Sequence, residues 1–319
     1  MDPRLLEEQC ARTLRATDLS ELGRPEEGKV RDCYIGNDKR RFIVVTDRVS
    51  CFDIIVDTLP FKGQVLNQIA AFWFGHTADL APNHLLEVPD PNVSVVRECR
   101  PLPVEFVYRG YLTGSSPTSI WTAYDEGARS YCGHLLPDGL HKHEPLPEPL
   151  LTPTTKAPKG SHDELTSREE LIATGAIDEP LYDEAAALCR KLFSAGQHHA
   201  ERQGLILVDT KYELALDDDN RIVVIDEIHT PDSSRYWYRA SYERALANRR
   251  DPEALDKEYV RRWYVEQGWR GEGPPPELPI AVRCEAARRY IEAYEQISGR
   301  DFAPDVEPPE TRIRRNLGL

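Results

Sequence analysis

The stretch LVDTKYELALDDDNRIVVIDE, residues 207–227, sets Asp209, Lys211 and Glu213 at alternate positions and closes on Asp226-Glu227. Side chains along a strand point to opposite faces with a period of two, so these three charges share one face. Ile206, Val208, Thr210, Tyr212 and Leu214 make the other face. With a turn at Asp217–Asn220, Leu216 faces Arg221 and Lys211 faces Asp226. Glu213 and Asp226 are then diagonal neighbours, about 7–8 Å apart at the backbone. Two carboxylates at that spacing suit a Mg²⁺ that keeps water and phosphate oxygens in its shell, with Lys211 lying between them and Asp209. A solvated sheet face is the plain alternative. One residue of slip in the register would turn Asp226 away.

Other segments carry groups suited to anions. GRPEEGKV, Gly23 to Val30, is one residue away from the phosphate loop G-x-x-x-x-G-K-[ST]. Val30 has no hydroxyl for a metal, Glu26 and Glu27 would crowd an anion, and a strand follows where such a loop opens a helix. A glycine-bearing hairpin over a nucleotide fits better, with Gly28 in it and Lys29 and Arg31 on one face toward phosphates. An ordinary exposed hairpin explains the same residues. In TDRVSCFD, 46–53, the residues Asp47, Ser50 and Asp53 stand at a strand's C-terminal edge, where ligand groups gather and where turns also start. VEFVYRGYLTGSS, 104–116, delivers Arg109 and then Thr113-Gly114-Ser115-Ser116. A guanidinium followed by hydroxyls and free N–H groups suits a phosphate or a carboxylate. In DEIHTPDSSRYW, 226–237, Asp232, Ser233 and Ser234 read as the N-cap of a helix starting near Arg235. A cation in a first turn opposes the helix dipole and points to an anionic ligand. His141 and His143 lack a Cys or carboxylate at metal-ligand spacing. His198-His199 read as a helix end, and no G-x-S-x-G anchors a serine nucleophile.

These groups need a scaffold, and 319 residues with 40% hydrophobic and 29% charged content describe a globular one of two or three subdomains. A net charge of −14 argues against a nucleic-acid or anionic-membrane binder, though not against small phosphorylated substrates. Seven Cys without a C-x-x-C pair indicate reduced thiols and a cytoplasmic protein. The start MDPRLLEEQC lacks a signal peptide, and no run of about 18 apolar residues spans a membrane. Strands are predicted over 29–46, 93–97 and 104–109. Helices are predicted over 64–78, 180–203, 235–247, 252–266 and 281–297, and Ser167 and Glu170 form a capping box. The Pro-rich text 137–158 is predicted to hold neither regular helix nor sheet. Early strands with helices between and after them give an α+β class: an N-terminal antiparallel β lobe (1–100), a central α+β domain (101–245) and C-terminal helices (246–319).

The set GKVRDCY, TDRVSCFD, KGQVLNQ, PVEFVYRGYLTGS, LLTPTTKAPKGSHDE, LILVDTKYEL and DEIHTPDSSRYW resembles the SAICAR synthetase family, in its larger, fungal-like form. The motifs run in order over about 28–237. The resemblance implies that ATP, L-aspartate and the carboxylated aminoimidazole ribotide CAIR give SAICAR, ADP and phosphate through an acyl phosphate, with Mg²⁺. It implies that the 1–100 β lobe covers an ATP site and that 101–245 holds substrate and metal. It also implies that Gly28, Lys29 and Arg31 approach ATP, that Glu213 and Asp226 hold Mg²⁺, and that adenine meets the backbone near 96–100. Ser50, Asp53, Arg109, Ser115, Asp209, Lys211, Asp232 and Arg235 would line the CAIR and aspartate sites. Lys211 would neutralise charge developing between nucleotide and CAIR; Asp209 would orient Lys211 or accept a proton from the amine. Two departures stand out: Leu214-Ala215 replace the family's Phe-Gly, and Tyr108 replaces a small aliphatic. An ATP-dependent small-molecule kinase and a non-catalytic nucleotide sensor are the rival readings. Nothing in the sequence indicates an oligomeric state.

Overall fold

The computed structural model describes residues 1–156, 164–255 and 258–319. After helix α1 (Pro3–Gln9) the chain builds hairpins: β1 (Arg24–Glu27) with β2 (Arg31–Ile35) and β3 (Arg40–Val45), then β4 (Arg48–Cys51) with β5 (Ile54–Thr58). Helix α2 (Lys62–His76) leads to β6 (Leu85–Asp90) and β7 (Val93–Arg97), which complete an antiparallel sheet in the order β1-β2-β3-β7-β6. GRPEEGKV is therefore a hairpin, followed by a strand and not a helix.

A second sheet begins with β8 (Arg100–Tyr111). After α3 (Ile120–Asp125) and the short hairpin β9 (Ser130–Tyr131) and β10 (His134–Leu135) come β11 (Pro145–Leu151) and β12 (Thr154–Thr155), both paired to β8. Helices α4 (Arg168–Ala173) and α5 (Glu179–Arg202) precede β13 (Leu205–Leu216), β14 (Ile222–Ile225) and β15 (Ser234–Tyr238). The order is β11-β8-β13-β14, with β15 also on β13. Helices α6 (Arg239–Ala247), α7 (Glu258–Glu266), α8 (Ile280–Ser298) and α9 (Pro309–Leu317) finish a mixed α+β fold. Among the described residues, no helix is long and apolar enough to cross a membrane.

Two sequence expectations fail here. The Pro-rich text was predicted to hold no sheet, yet β11 and β12 lie within it. Strand β11 is an edge strand with an irregular register, so Pro145, Pro147 and Pro149 need not supply a full ladder of N–H donors. The last residues of the Pro-rich text, 157 and 158, lie outside the described part. The helix predicted from Arg235 is instead β15, and α6 starts only at Arg239. Aromatic Tyr236, Trp237 and Tyr238 suit a strand, and pairing with β13 outweighs the N-cap signal of Asp232 to Ser234. The Ser167–Glu170 capping box forms as expected.

Burial explains how the second sheet presents its charges. Phe106 and Tyr108 of β8 lie opposite Tyr212 and Thr210 of β13, and all four side chains are buried. Against this face α5 turns Tyr182, Ala185, Cys189, Phe193 and Ala200, at helical spacing. Tyr108 stacks on Phe193 at 5.5 Å between ring centroids and donates to the Ala186 carbonyl at 3.2 Å. Leu214, in place of Phe, is buried in the same core, and Ala215, in place of Gly, is also buried. The other face is left for Glu105, Arg109, Asp209, Lys211 and Glu213.

Gly23 has a positive φ of 146°, and a β-carbon there would meet the Ile35 carbonyl oxygen at 2.1 Å. Gly23→Ala is expected to cost more than about 1 kcal/mol of stability, since the backbone must shift. Its KM for ATP should stay near wild type because the clash is with the end of β2. Paired melts and initial rates check this; a large rise in that KM with no change in melting would restore the phosphate-loop reading.

Candidate active site

The charged face forms one network. Across β8 and β13, Asp209 lies opposite Arg109, Lys211 opposite Val107, and Glu213 opposite Glu105. Two glutamates directly opposite repel unless a cation intervenes. The Lys211 ammonium sits between them, 2.7 Å from Glu105 and 2.6 Å from Glu213. Lys156 holds the second Glu213 oxygen at 2.5 Å, and Thr154 donates to Glu105 at 3.1 Å. Burial alone would disfavour the Lys211 charge, but Glu213, Asp226 and Glu105 outweigh it and raise its pKa. Burial would likewise raise Glu213, yet Lys211 and Lys156 carry its carboxyl below the usual range. Both groups are held charged.

The register of β13 and β14 differs by one residue from the sequence reading. Leu216 pairs with Ile222, not Arg221, and Glu213 with Ile225, so Lys211 does not face Asp226. Strict alternation would then turn Asp226 away. Instead Asp226 leaves the strand with a left-handed φ of 67°, which breaks the alternation. Its carboxylate is bound by Arg31, and it interacts electrostatically with Glu213, Glu227 and Lys211. Burial comes first among the effects on Asp226 and outweighs Arg31, raising its pKa.

Further along the same face the arginines meet. Asp209 lies 3.4 Å from Arg109 and 3.5 Å from Arg235, which are delivered by β8 and β15 on either side of β13. Asp209 thus holds two arginines, while Lys211 is braced by Glu105 and Glu213. Thr152 accepts from Arg109 Nε at 2.9 Å. Arg109, Asp209, Lys211, Asp232 and Arg235 line one cavity of about 240 Å³. Asp232 is fixed by buried Lys62 at 2.8 Å and by the Tyr290 hydroxyl at 2.6 Å. Ser115 lines an adjoining cavity of about 420 Å³ with Arg235, Lys142, Arg261, Arg262 and Arg289.

The β1–β2 turn brings Gly28, Lys29 and Arg31 to the first sheet's edge. Arg48, from the TDRV segment, donates to the carbonyls of Gly28 and Lys29 and pairs with Asp32, so it sets the turn. Lys29 pairs with Asp53 at 2.6 Å, and Arg31 bridges Asp226 and Glu227. Ser50 and Asp53 stand on the β4–β5 hairpin, outside the lining of both cavities. Phe52 and Asp53 both have positive φ, 52° and 63°. Phe52 packs on Trp269, and the Arg261 guanidinium lies 5.0 Å above its ring, so α7 links this hairpin to the larger cavity. The linker between β7 and β8 lies at the stretch expected to meet adenine; there the N–H groups of Arg97 and Glu98 already donate to the His84 and Lys39 carbonyls.

Among the described residues, no group of three or more His, Cys, Asp or Glu could hold a metal ion by itself. The donor set still fits Mg²⁺, which takes one or two carboxylates and completes its shell with water and phosphate oxygens. Glu105, Glu213, Asp226 and Glu227 set four carboxylates against Lys211, Lys156 and Arg31, leaving one negative charge uncompensated. Glu105, Lys62, Lys156, Glu227 and Arg48 were not singled out from the sequence as site residues. Only Glu105 carried a signal, as an acid two places from Val107 and four from Arg109 in an otherwise apolar strand.

A family model described as SAICAR synthetase matches residues 24–276. The phosphoribosylaminoimidazole-succinocarboxamide synthase of Legionella pneumophila is 45% identical over 300 residues, 93% of this chain and 95% of that one. Among solved structures, the SAICAR synthase from Saccharomyces cerevisiae complexed with SAICAR gives a TM-score of 0.79 at 29% identity, covering 92% of this chain and 100% of that chain. A type-2 SAICAR synthetase in complex with ADP shares the fold at a TM-score of 0.65 and 21% identity, over 88% of this chain and 100% of that chain.

Proposed function

The chain belongs to the SAICAR synthetase family, and from that premise we propose how its own residues carry the reaction. The protein is a carbon–nitrogen ligase of purine biosynthesis that condenses CAIR with L-aspartate to give SAICAR, with ATP converted to ADP and phosphate. A carboxylate resists attack by an amine until one of its oxygens becomes part of a leaving group. Transfer of the γ-phosphoryl of ATP to that oxygen makes an acyl phosphate. The aspartate amine then attacks the carbonyl carbon, the C–O bond to phosphate breaks, and the amine loses its proton.

Phosphoryl transfer asks mainly for positioning and charge neutralisation. Gly28, Lys29 and Arg31 approach the ATP phosphates from the β1–β2 turn. Glu213 and Asp226 would hold Mg²⁺, which when bound would neutralise phosphate charge. Lys211, braced by Glu105 and Glu213, stands where charge develops between nucleotide and CAIR carboxylate. Arg109, Arg235 and Ser115 bind anionic groups of CAIR; Asp209 keeps both arginines aimed inward. Asp232 contributes to the CAIR and aspartate sites from the wall of the smaller cavity; Ser50 and Asp53, outside both cavities, would reach substrate only from the β4–β5 hairpin beside Lys29. The enzyme is cytoplasmic, in keeping with seven cysteines that are all free thiols. The yeast relative's complex with SAICAR supports a ribotide in the cavity.

The observation that carries this reading is the continuous row Glu213, Lys211, Asp209 on β13, with Lys211 braced at one end and two arginines held at the other. Heavy oxygen placed in the CAIR carboxylate should appear in the released phosphate, one atom per turnover. Unlabelled phosphate would sink the acyl phosphate. Stoichiometric ADP release without aspartate, accompanied by a stable phosphorylated product, would favour the kinase reading.

A further inference from the structure

We propose that His143 is a positioning residue for the phosphate-bearing end of the ribotide, acting through the Thr113–Ser116 loop. The proposal rests on the reading above that CAIR occupies the cavities around Arg235.

His143 is buried and has a positive φ of 71°, a backbone state uncommon for residues other than glycine. Both ring nitrogens have partners: Nδ1 lies 2.9 Å from the Thr113 hydroxyl and Nε2 2.8 Å from Asp251. A carboxylate only accepts, so Nε2 carries the proton and Nδ1 accepts from Thr113. Burial lowers the pKa of His143, in agreement with a neutral ring. Its backbone N–H donates to the Leu112 carbonyl at 2.7 Å, and its carbonyl accepts from the Tyr242 hydroxyl at 2.8 Å. The ring also packs edge-on against Trp237 at 5.3 Å. One residue of the Pro-rich excursion therefore ties together the 112–116 loop, β15 two residues beyond Arg235, and the segment before α7.

What it ties is the anion-binding end of the larger cavity. At Gly114, with φ 116°, an added β-carbon would lie 2.4 Å from Ser119 and 3.5 Å from an Arg235 nitrogen. The loop is thus folded tightly under the Arg235 guanidinium. Ser115, Ser116, Lys142, Arg235, Arg261 and Arg262 converge on about 420 Å³ of space. Asp251, Glu253 and Glu258 also line it, Lys142 being paired to Asp251 and Arg261 to Glu258. Cations still outnumber carboxylates there, and with the loop hydroxyls beside Arg235 they suit a dianionic phosphate monoester. Loop donors act on such a group only when their spacing is held, and the His143–Thr113 hydrogen bond, made by two residues in the wall of the same cavity, holds it.

The test uses the full-length enzyme with CAIR and its dephosphorylated riboside. In His143→Ala, KM for CAIR should rise roughly tenfold, about the value of one well-made buried hydrogen bond, with KM for ATP and kcat within about twofold. The preference for ribotide over riboside should fall by a similar factor, which general loosening of the fold would not produce. His143→Asn tolerates positive φ and keeps a donor and an acceptor, so it should recover most of the loss. Thr113→Val should match His143→Ala, and the double variant should be no worse than either; if His143→Ala does not fold, Thr113→Val and His143→Asn carry the measurement. An unchanged ribotide preference in folded variants, or equal rises in KM for ATP and CAIR, overturns the proposal. Arg235→Gln separates the two levels. If it leaves KM for CAIR unchanged, the reading of the cavity itself fails; if it raises KM while the His143 and Thr113 variants do not, only the positioning role fails.

Discussion

Glu213→Gln and Asp226→Asn enzymes are expected to remain folded and to lose turnover by a factor on the order of 10²–10³ or more, the scale seen when a charge-stabilising group is removed from an active site. Each change also removes a partner from a cation: Glu213 from half-buried Lys211 and exposed Lys156, Asp226 from half-buried Arg31. A stability loss of about 1–3 kcal/mol should accompany it. Both variants should need more Mg²⁺ for nucleotide binding, since a hard cation loses an anionic oxygen. Asp209→Asn should lose turnover while sparing nucleotide binding, because Asp209 holds Arg109 and Arg235. On the opposite face of the same strand the profile should invert. Tyr212→Ala and Leu214→Ala leave cavities in a closed core and should cost about 2–4 kcal/mol, with activity per folded molecule retained. Paired melts and initial rates, titrated with Mg²⁺, separate the two faces. Active Glu213→Gln and Asp226→Asn enzymes with unchanged metal dependence would make the charged row a salt-bridge lattice and nothing more.

The two-faced character of β13 was legible from Asp209 to Leu214 because period-two alternation is local: each side chain's direction follows from its neighbours. The irregularity between Leu207 and Asp209 was not: it sends Leu207 into the main core and sets Ile206 and Val208, expected beside Tyr212, against Trp237 instead. The pairing of β13 with β14 was also less legible. The turn register differs by one residue, and Asp226 returns to the site only through a left-handed backbone that no periodicity encodes. Helices with a clear apolar stripe, such as Lys62–His76, Glu179–Arg202 and Ile280–Ser298, fall within two residues of where the pattern places them. At Arg235 local and tertiary preferences compete. Asp232 to Ser234 have the chemistry of a helix cap, but the vacant edge of β13 takes Ser234–Tyr238 as a strand. Arg235 accordingly reaches Asp209 from a strand, and the helix-dipole rationale for its ligand does not apply.

The site residues not singled out from the sequence share a physical reason. Lys156, Lys62 and Glu227 are opposite-charge partners supplied from other elements, and sequence spacing carries no record of such meetings. Glu105 differs because it belongs to the paired strand itself. Its charge in a buried strand facing Glu213 was readable once β8 and β13 were taken as neighbours. The hairpin turn at Gly28 shows the same division: the glycine is visible in the sequence, but Arg48, which binds the Gly28 and Lys29 carbonyls, emerges only when the two hairpins meet.

The largest stability effect outside the site should come from Arg312. Its guanidinium is fully buried, as is the Asp90 carboxylate it binds, at 2.9 Å through Nε and 3.2 Å through Nη2. Asn92 and the Asp305 carbonyl accept its remaining N–H groups, and Asn316 donates to Asp90 at 2.8 Å. This network docks α9 on the edge strand β6 and steadies Asn92, whose side chain donates to the Val45 carbonyl at 2.8 Å where β3 runs into the Thr46–Asp53 segment. Arg312→Ala leaves Asp90 and Asn92 buried without the donors they were built around. The expected loss is about 3–5 kcal/mol, as for a buried pair broken from one side. Arg312→Lys should recover only part of it, because a single ammonium cannot reproduce the forked contact with both Asp90 oxygens. The loss should change little with salt, since screening by ions hardly reaches a pair closed off from solvent. A double variant, Asp90→Leu with Arg312→Met, removes both charges and should be more stable than Arg312→Ala despite carrying two substitutions. Urea unfolding of the four proteins at low and high salt tests this. Arg312→Ala melting within about 1 kcal/mol of wild type would mean that water or a local shift satisfies Asp90, and that α9 is held by the apolar contacts of Ile313 instead.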